Sequence, residues 1–214
     1  MTEPYYEADG IVLYHGDCLQ VTEWLTADVL VTDPPYGYAV DHRAVRQQPI
    51  AGNEDTGARD RALSMWGDRR PACMFGQWKA TRPDRTAQVL IWDKTDGLGP
   101  GRGDLANAFG VSHEEVYLIG EWRKTGKRQG SVIRTTQGIQ WLTETSGHPT
   151  PKPLALMERL VGAAPPGVIA DPFAGSGSTL VAARNLGRQA IGVEIEERYC
   201  EIIARRLDQQ VLPL

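Results

Sequence analysis

The sequence is poor in cysteine and histidine, and the few that it has lie far apart. Its three cysteines are Cys18, Cys73 and Cys200, and none of them forms a CxxC pair or belongs to a cluster with any of the four histidines. This spacing excludes the common zinc-site patterns, so we predict that the chain binds no metal. The same scarcity is typical of proteins kept in a reducing compartment, so we expect a cytoplasmic protein.

Long apolar runs and an excess of positive charge are also missing. No run approaches the roughly 20 apolar residues that span a bilayer, and the opening MTEPYYEADG lacks the pattern of a secretion signal. We therefore expect no membrane partner. The net charge of -4 excludes a surface that is basic throughout, but it allows one basic face. The 214 residues, 41% of them hydrophobic, predict one domain over 1–214.

Short β-branched runs alternate with helical patterns along the chain. Turn residues bound each run, as in buried strands, and the helical segments place apolar residues on one face. The predicted strands are 11–14, 28–32, 87–92, 115–119, 168–170 and 190–193, and the predicted helices are 150–161, 178–186 and 197–207. This alternation predicts an α/β fold with a mostly parallel sheet covered on both faces. Residues 37–71 lack sustained periodicity, which predicts a long loop that is functional or mobile.

The sharpest motif is Asp33-Pro34-Pro35-Tyr36, which follows the apolar run at 29–32. Ligands of open α/β sheets bind beyond the carboxyl ends of the strands. An exocyclic base amine is a poor nucleophile because its lone pair is delocalised into the ring, and acceptors aimed at its N–H bonds release that lone pair. Asp33 and the Pro34 carbonyl are candidate acceptors, held by rigid prolines, and Tyr36 is a candidate to stack on the base. The alternative is a plain strand-terminating turn.

A second motif is the glycine-containing stretch VIADPFAGSGST at 168–179. Glycines between a strand and a helix let the backbone approach a ligand closely. The stretch lacks the lysine of a P-loop and the third glycine of a dinucleotide fingerprint, so a tight turn is the alternative. Glu194 ends the next strand, where a carboxylate can accept hydrogen bonds from ribose hydroxyls. The two features together favour an adenosine-containing cofactor.

In this order, the motifs GDCL, DPPY, HPTPKP, DPFAGSGST and GVEIEERYCEIIARRL resemble the beta group of DNA amino-methyltransferases over nearly the whole chain. The resemblance implies S-adenosylmethionine as cofactor and a Rossmann-like, circularly permuted sheet of seven strands. In that sheet, residues 11–14 supply the third strand, and the strands that begin at Val168 and Ala190 supply the first two. The resemblance also associates the chain with restriction–modification.

The activity that the resemblance implies is methyl transfer to the N6 amino group of adenine in double-stranded DNA, after base flipping. The DPPY form is the one usually associated with adenine, and SPPY is commoner for cytosine. Methylation of the N4 amino group of cytosine is the alternative activity. A non-catalytic nucleic-acid-binding module on a methyltransferase fold is the alternative of another class. The sequence leaves open whether the chain acts alone or as a homodimer.

The resemblance also assigns roles to single residues. Asp33, Pro34, Pro35 and Tyr36 are implied to be catalytic. The implied cofactor-binding set is Asp17, Cys18, Asp33, His148, Thr150, Lys152, Asp171, Phe173, Ala174, Gly175, Ser176, Gly177, Ser178, Glu194 and Ile195. Alternatively, His148 and Lys152 cap the following helix, and Asp17 caps a helix over 20–25.

A basic stretch at 121–134 is predicted to hold the DNA backbone, because phosphate contacts require cationic side chains. Its basic residues are Arg123, Lys124, Lys127, Arg128 and Arg134, opposed only by Glu121 and flanked by Trp122 and Trp141. The alternative is a solvated hairpin. The loop at 37–71 supplies a second set: Arg43, Arg46, Arg59, Arg61, Arg69 and Arg70.

Overall fold

The computed structural model describes residues 2–37, 55–95, 108–122, 128–135 and 151–209. Its strands are β1 (Tyr6–Ala8), β2 (Ile11–His15), β3 (Val29–Thr32), β4 (Ala72–Gly76), β5 (Thr86–Asp93), β6 (His113–Ile119), β7 (Val132–Arg134), β8 (Ile169–Asp171) and β9 (Ala190–Glu194). Its helices are a 3-10 helix (Glu23–Thr26), α1 (Gly57–Trp66), α2 (Leu154–Ala163), α3 (Ser178–Asn185) and α4 (Glu197–Asp208).

All of these strands belong to one sheet, in the order β1-β2-β9-β8-β3-β4-β6-β5-β7. The five strands from β2 to β4 in that order are parallel. β6 runs antiparallel to both of its neighbours, so β5 points the same way as β4. The carboxyl ends of β2, β3, β4, β5, β8 and β9 therefore meet at one edge of the sheet, and β6 begins at that edge.

Helices cover both faces of the sheet because the central strands are apolar on both sides. In β3, Val29 and Val31 face one core, which contains the buried residues of α2, α3 and α4. Leu30 faces the other core, which contains Trp24 and Trp66 from the 3-10 helix and α1. Among the described residues, no helix is long and apolar enough to cross a membrane.

The α/β fold with a mostly parallel sheet is confirmed, and each predicted strand and helix is present with its ends moved by a few residues. The permutation is visible in the order of the strands, because β8 and β9 come late in the chain but lie between β2 and β3. The predicted number of seven strands is too low for the described residues, since β1 and β7 add short strands at the two edges.

Two sequence predictions about local structure are wrong. Residues 37–71 are not all loop, because 57–66 form α1, which buries Ala62 and Trp66 against the second core. The sequence of α1 shows only a weak helical repeat of apolar residues, because one of the positions that the helix buries is occupied by Arg59. The segment after Asp17 forms a 3-10 helix at Glu23–Thr26 instead of a helix over 20–25.

Candidate active site

Several of the predicted functional residues lie at the edge where the parallel strands end. Asp17 and Asp33 follow β2 and β3, while Asp171 and Glu194 are the last residues of β8 and β9. They line a cavity of about 450 Å³. The carboxyl ends of parallel strands are the usual ligand-binding edge of such a sheet. The topology thus gathers residues that lie more than 170 positions apart in the sequence.

The cavity brings together most of the predicted site. Asp33, Pro34, Pro35 and Tyr36 all line it. The described members of the predicted cofactor-binding set that line it are Asp17, Cys18, Asp33, Lys152, Asp171, Phe173, Ala174, Gly175, Ser176, Ser178, Glu194 and Ile195. His148 and Thr150 lie outside the described residues.

Gly177 does not line the cavity. Its φ is +78°, and a Cβ atom there would meet Cγ1 of Ile203 at 2.8 Å. The residue therefore allows the turn into α3 to pack closely against α4. This is a structural reason for a glycine at a position where the motif implied cofactor contact.

Asp33 is held by two partners from opposite directions. The Tyr36 hydroxyl donates a hydrogen bond of 2.6 Å to its Oδ1, and the Lys152 ammonium forms an ion pair with its Oδ2. The Lys152 ammonium also lies 4.9 Å from the centre of the Phe75 ring. The side chain of Lys152 therefore does not cap α2, which begins after Pro153 without a side-chain cap.

Glu114 is the fourth member of this network, and the sequence analysis did not predict it. Its Oε2 lies 3.4 Å from the Lys152 ammonium and 3.3 Å from the Tyr36 hydroxyl, and its Oε1 accepts a hydrogen bond of 2.6 Å from Lys94. Glu114 comes near the start of β6, and Lys94 directly follows β5. The network therefore contains two carboxylates and two ammonium groups.

Burial and charge pull the pKa values of this network in opposite directions. Burial raises the pKa of Asp33, and the Lys152 ammonium opposes that rise without cancelling it. Burial alone would raise the pKa of Glu114, but Lys152 and Lys94 outweigh it, and the net pKa is lowered. Burial likewise disfavours the Lys152 ammonium, but the two carboxylates raise its net pKa. Lys152 is therefore positively charged at neutral pH.

Glu194 forms the second polar centre of the cavity. Its Oε2 accepts a hydrogen bond of 2.7 Å from the Gly175 amide, and its Oε1 accepts one of 2.8 Å from the Glu196 amide. Each carboxylate oxygen has a second lone-pair direction, so two further donors can bind. Burial raises the pKa of Glu194 to about 7. A ligand that donates hydroxyl hydrogens would favour the ionised form.

Three predicted cofactor-binding residues also have structural partners. Oδ1 of Asp171 accepts a hydrogen bond of 2.7 Å from the Thr32 hydroxyl, which links β8 to β3. The Ser178 hydroxyl donates to the Lys152 carbonyl over 2.9 Å, which fixes the approach to α2. Oδ1 of Asp17 accepts from the Leu19 amide over 2.9 Å, so Asp17 caps a turn as well as lining the cavity.

Sequence reasoning missed several residues of the cavity wall. They are Gly16, Leu19, Ala58, Gln77, Lys94, Glu114, Met157, Pro172, Thr179, Glu196 and Tyr199. Arg61, predicted only as part of the second basic set, also lines the cavity. Position at a strand end could have indicated Gln77 and Lys94, since each follows a strand that ends at this edge. Glu114 gives no such signal, because its place depends on β6 being antiparallel.

Comparison with known proteins identifies the family. Residues 84–205 match the sequence profile of the DNA methylase family N6_N4_Mtase, which is more than half of the chain. The chain belongs to this DNA methylase family. The resemblance stated from the motifs is thus confirmed, and the methylase is a DNA amino-methyltransferase of the N6-adenine or N4-cytosine kind. The family is S-adenosylmethionine-dependent, as predicted.

Whole-length relatives of the methylase include two bacterial enzymes. It is 28% identical to the type II methyltransferase M.ScaI of Streptomyces caespitosus, over 99% of this chain and 86% of the relative. It is 27% identical to the type II methyltransferase M2.LlaDCHI of Lactococcus lactis subsp. cremoris, over 98% of this chain and 93% of the relative. These names agree with the predicted association with restriction–modification.

Solved structures share the fold of the methylase. The M1.HpyAVI–SAM complex matches with a TM-score of 0.62 and 19% identity, covering 93% of this chain and all of the other. The cytosine-N4-specific PvuII DNA methyltransferase matches with a TM-score of 0.65 and 16% identity, covering 99% of this chain and 91% of the other.

The predicted DNA-facing segment at 121–134 begins at the edge of the sheet opposite the cavity. β6 starts at the cavity edge and ends at the opposite edge, where the Glu121 amide binds the Arg69 carbonyl at 3.1 Å. Trp122 is partly buried against the first core, and its indole donates to the Ala72 carbonyl over 3.0 Å. Arg128 is exposed, and Arg134 pairs in register with Asp93 at the cavity edge. Arg123, Lys124, Lys127 and Trp141 lie outside the described residues.

The second basic set, which comes from the predicted loop at 37–71, is also spread over different parts of the protein. Arg59 is buried and donates to the Thr81 carbonyl over 3.0 Å. Arg70 stacks on Trp66, with 3.5 Å from its Cζ to the ring centre. Both side chains therefore have partners within the protein. Arg69 is exposed at the edge opposite the cavity, whereas Arg61 lines the cavity. Arg43 and Arg46 lie outside the described residues.

Proposed function

We propose that the chain transfers a methyl group from S-adenosylmethionine to the N6 amino group of adenine in double-stranded DNA. One observation carries this proposal. Asp33, which can accept hydrogen bonds from an amine, and Glu194, which can accept them from a ribose, line the same cavity. Its volume of about 450 Å³ falls in the range of roughly 300–1,000 Å³ that is usual for ligand sites.

The residues of the cavity fit the proposed cofactor. Glu194 has lone pairs left for two ribose hydroxyls, and Gly175, with φ at +52°, presents backbone without a side chain beside it. Asp17 and Phe173 line the same cavity and are the proposed neighbours of the adenine and methionine parts. When bound, the cofactor supplies an electrophilic methyl group.

Asp33 is the proposed residue that activates the target amine. Its carboxylate and the Pro34 carbonyl would accept the two amine hydrogens, which directs the nitrogen lone pair out of the ring plane. Prolines on both sides of this carbonyl limit backbone movement, so little reorganisation accompanies the reaction. After transfer the amine nitrogen carries one proton too many. Oδ2 of Asp33 can take that proton, because burial raises the pKa of this carboxyl.

Adenine is the proposed base because the motif begins with Asp33, the form associated with adenine. Cytosine is the second candidate, since its N4 amine could meet the same acceptors and the fold is shared with a cytosine-N4-specific enzyme. A base inside a duplex must be flipped out to reach such a cavity. The relatives named above come from bacteria, so the proposed place of action is the cytoplasm.

The decisive experiment is expression in a host that lacks DNA methylation. Digestion of the host DNA to nucleosides, followed by mass spectrometry, would measure N6-methyladenine and N4-methylcytosine. The proposal predicts N6-methyladenine with the wild-type chain and none with Asp33→Ala. N4-methylcytosine alone would replace the proposed base with the second candidate. DNA free of both products would reject the enzymatic function in favour of a binding module.

A further inference from the structure

The catalytic carboxylate is already occupied in the structure. Both oxygens of Asp33 are engaged, Oδ1 by the Tyr36 hydroxyl and Oδ2 by the Lys152 ammonium. Each oxygen keeps a second lone-pair direction that an amine can use, but a proton passed from the amine to Oδ2 must compete with the cation on that oxygen. A buried cation cannot leave without another acceptor, because an unpaired buried charge is strongly disfavoured.

Glu114 is the second acceptor within reach of that cation. Its Oε2 lies 3.4 Å from the Lys152 ammonium, which is just beyond a normal hydrogen bond. The side chains of Lys152 and Glu114 are only 8% and 9% exposed, so each depends mainly on protein partners for its charge. The Glu114–Lys94 hydrogen bond uses Oε1 and leaves Oε2 facing Lys152 and Tyr36.

We propose that Glu114 is a positioning residue that receives the Lys152 ammonium when the target amine binds Asp33. The ammonium keeps its three protons and needs to move only about half an ångström closer to Oε2 to form a normal hydrogen bond. Oδ2 of Asp33 is then free of the cation and can take the amine proton, while no charge is left unpaired. The inference rests on the proposed function, because it concerns how Asp33 becomes available to the amine.

The exchange makes Glu114 necessary for rate rather than for cofactor affinity. In Glu114→Gln the ammonium loses its charged alternative and stays on Asp33. We expect the single-turnover rate, measured with labelled S-adenosylmethionine and DNA from a methylation-free host, to fall by at least about tenfold. Cofactor affinity by calorimetry should not change. Glu121→Gln, in the segment after the other end of β6, is the control and should keep the wild-type rate.

A double variant separates this role from simple charge balance. Glu114→Gln with Lys94→Met removes one charge of each sign, so the network becomes neutral again with Asp33 and Lys152. If Glu114 only balanced Lys94, the double variant would recover the wild-type rate, and the proposal would be overturned. We expect the double variant to be as slow as Glu114→Gln.

The Lys152→Met background provides a second test that does not depend on the stability of one variant. Without the Lys152 ammonium, Glu114 has no cation to receive. Glu114→Gln should therefore not lower the single-turnover rate any further in this background. An equal fold-loss in both backgrounds would overturn the proposal. Loss of all methylation by the wild-type chain would instead reject the proposed function, so the two failures are distinguishable.

A different observation, an exposed tryptophan at the cavity edge, carries a second inference. Trp78 is 59% exposed and lies two residues beyond the carboxyl end of β4, next to Gln77 of the cavity wall. The Lys79 ammonium lies 5.5 Å from the centre of its ring. An aromatic ring with a cation beside it is suited to stacking on bases next to phosphates.

The turn that carries Trp78 is fixed in place. The Ala80 amide donates to the Gln77 carbonyl over 3.1 Å, and Arg59, itself buried, holds the Thr81 carbonyl from α1. A rigid turn presents an exposed ring at little ordering cost. We infer that Trp78 stacks on DNA bases at the mouth of the cavity and takes the place of the flipped base. This inference also depends on the proposed DNA substrate.

Base flipping can be measured directly once the methylated position is known from sequencing. A duplex with 2-aminopurine at that position becomes fluorescent when the base leaves the stack. At saturating protein, Trp78→Ala should lose most of that signal and bind the duplex roughly tenfold more weakly, whereas Trp78→Phe should retain the signal. Leu186→Ala, an exposed apolar residue just beyond the end of α3, is the control. Wild-type flipping and affinity in Trp78→Ala would overturn the inference, while methylation would still support the proposed function.

Discussion

The Lys152 ammonium forms an ion pair with the Asp33 carboxylate, although 119 positions separate the two residues. The pair joins the segment before α2 to the end of β3, and it lies at the proposed point of methyl transfer. Its immediate consequence is that Asp33 is engaged before any substrate binds.

Asp33→Ala is expected to abolish methyl transfer while cofactor affinity stays within about tenfold. The lost carboxylate should remove roughly 3 kcal/mol or more of transition-state stabilisation. Single-turnover rates and calorimetric cofactor titrations measure the two effects separately. Asp68→Ala is a matched control, because Asp68 pairs with Arg85 on the exposed surface. Substantial turnover by Asp33→Ala would exclude the proposed role.

Glu194→Ala is expected to weaken S-adenosylmethionine binding. Two ribose hydroxyls would lose a charged acceptor, and hydrogen bonds to charged groups contribute about 1.5–3 kcal/mol. Isothermal titration calorimetry measures the change. Glu201→Ala on the exposed side of α4 should bind the cofactor like the wild type. If Glu194→Ala also keeps its affinity, the ribose binds elsewhere.

Cofactor affinity is also expected to depend on pH. Burial raises the pKa of Glu194 to about 7, and only the ionised carboxylate can accept hydrogen bonds with both oxygens. Below this pKa, binding must first release a proton, so affinity should fall as the pH decreases through about 7 and level off above it. Titrations between pH 6 and pH 8, roughly one unit on either side of this pKa, test this. Glu194→Gln should remove the inflection; an unchanged profile in that variant would assign it to another group.

Gly177→Ala is expected to destabilise the fold more than Gly187→Ala. Both glycines have positive φ, at +78° and +66°, so both substitutions introduce backbone strain of about 1–2 kcal/mol. The Cβ atom at 177 would also meet Ile203, whereas nothing lies within 4 Å at 187. Overpacking adds about 1–3 kcal/mol. Urea unfolding of the two variants gives the difference, and equal losses would mean that the α3–α4 contact relaxes freely.

The salt dependence of DNA binding should identify the basic surface. Each phosphate contact adds close to one unit to the slope of log affinity against log salt. Changing Arg61, Lys79 and Arg134 to Ser is expected to flatten this slope, because Arg61 lines the cavity and the other two follow or end strands at its edge. Changing Arg123, Lys124, Lys127 and Arg128 to Ser is the comparison. A flatter slope in that variant alone would restore the segment at 121–134 as the DNA-binding surface.

The family and the central motifs could be predicted because local sequence patterns determine them. Asp33 and Glu194 each end an apolar run, and a residue just past a buried parallel strand lies at the ligand-binding edge whatever the rest of the chain does. Helices α2, α3 and α4 could also be predicted locally, because their apolar residues repeat with a helical period. These features need only residues that are neighbours in the sequence.

Other features were decided by the tertiary structure alone. Glu114 reaches the cavity because β6 runs antiparallel between β4 and β5. A local sequence pattern does not determine the direction in which a strand runs in the sheet. The same reversal places Glu121 and Trp122 at the far edge, so the basic stretch predicted to hold DNA begins at the edge opposite the cavity. The Asp33–Lys152 pair likewise depends on the permuted order of the strands. Sequence patterns thus determined which chemical groups are present, and strand direction and order decided which of them meet.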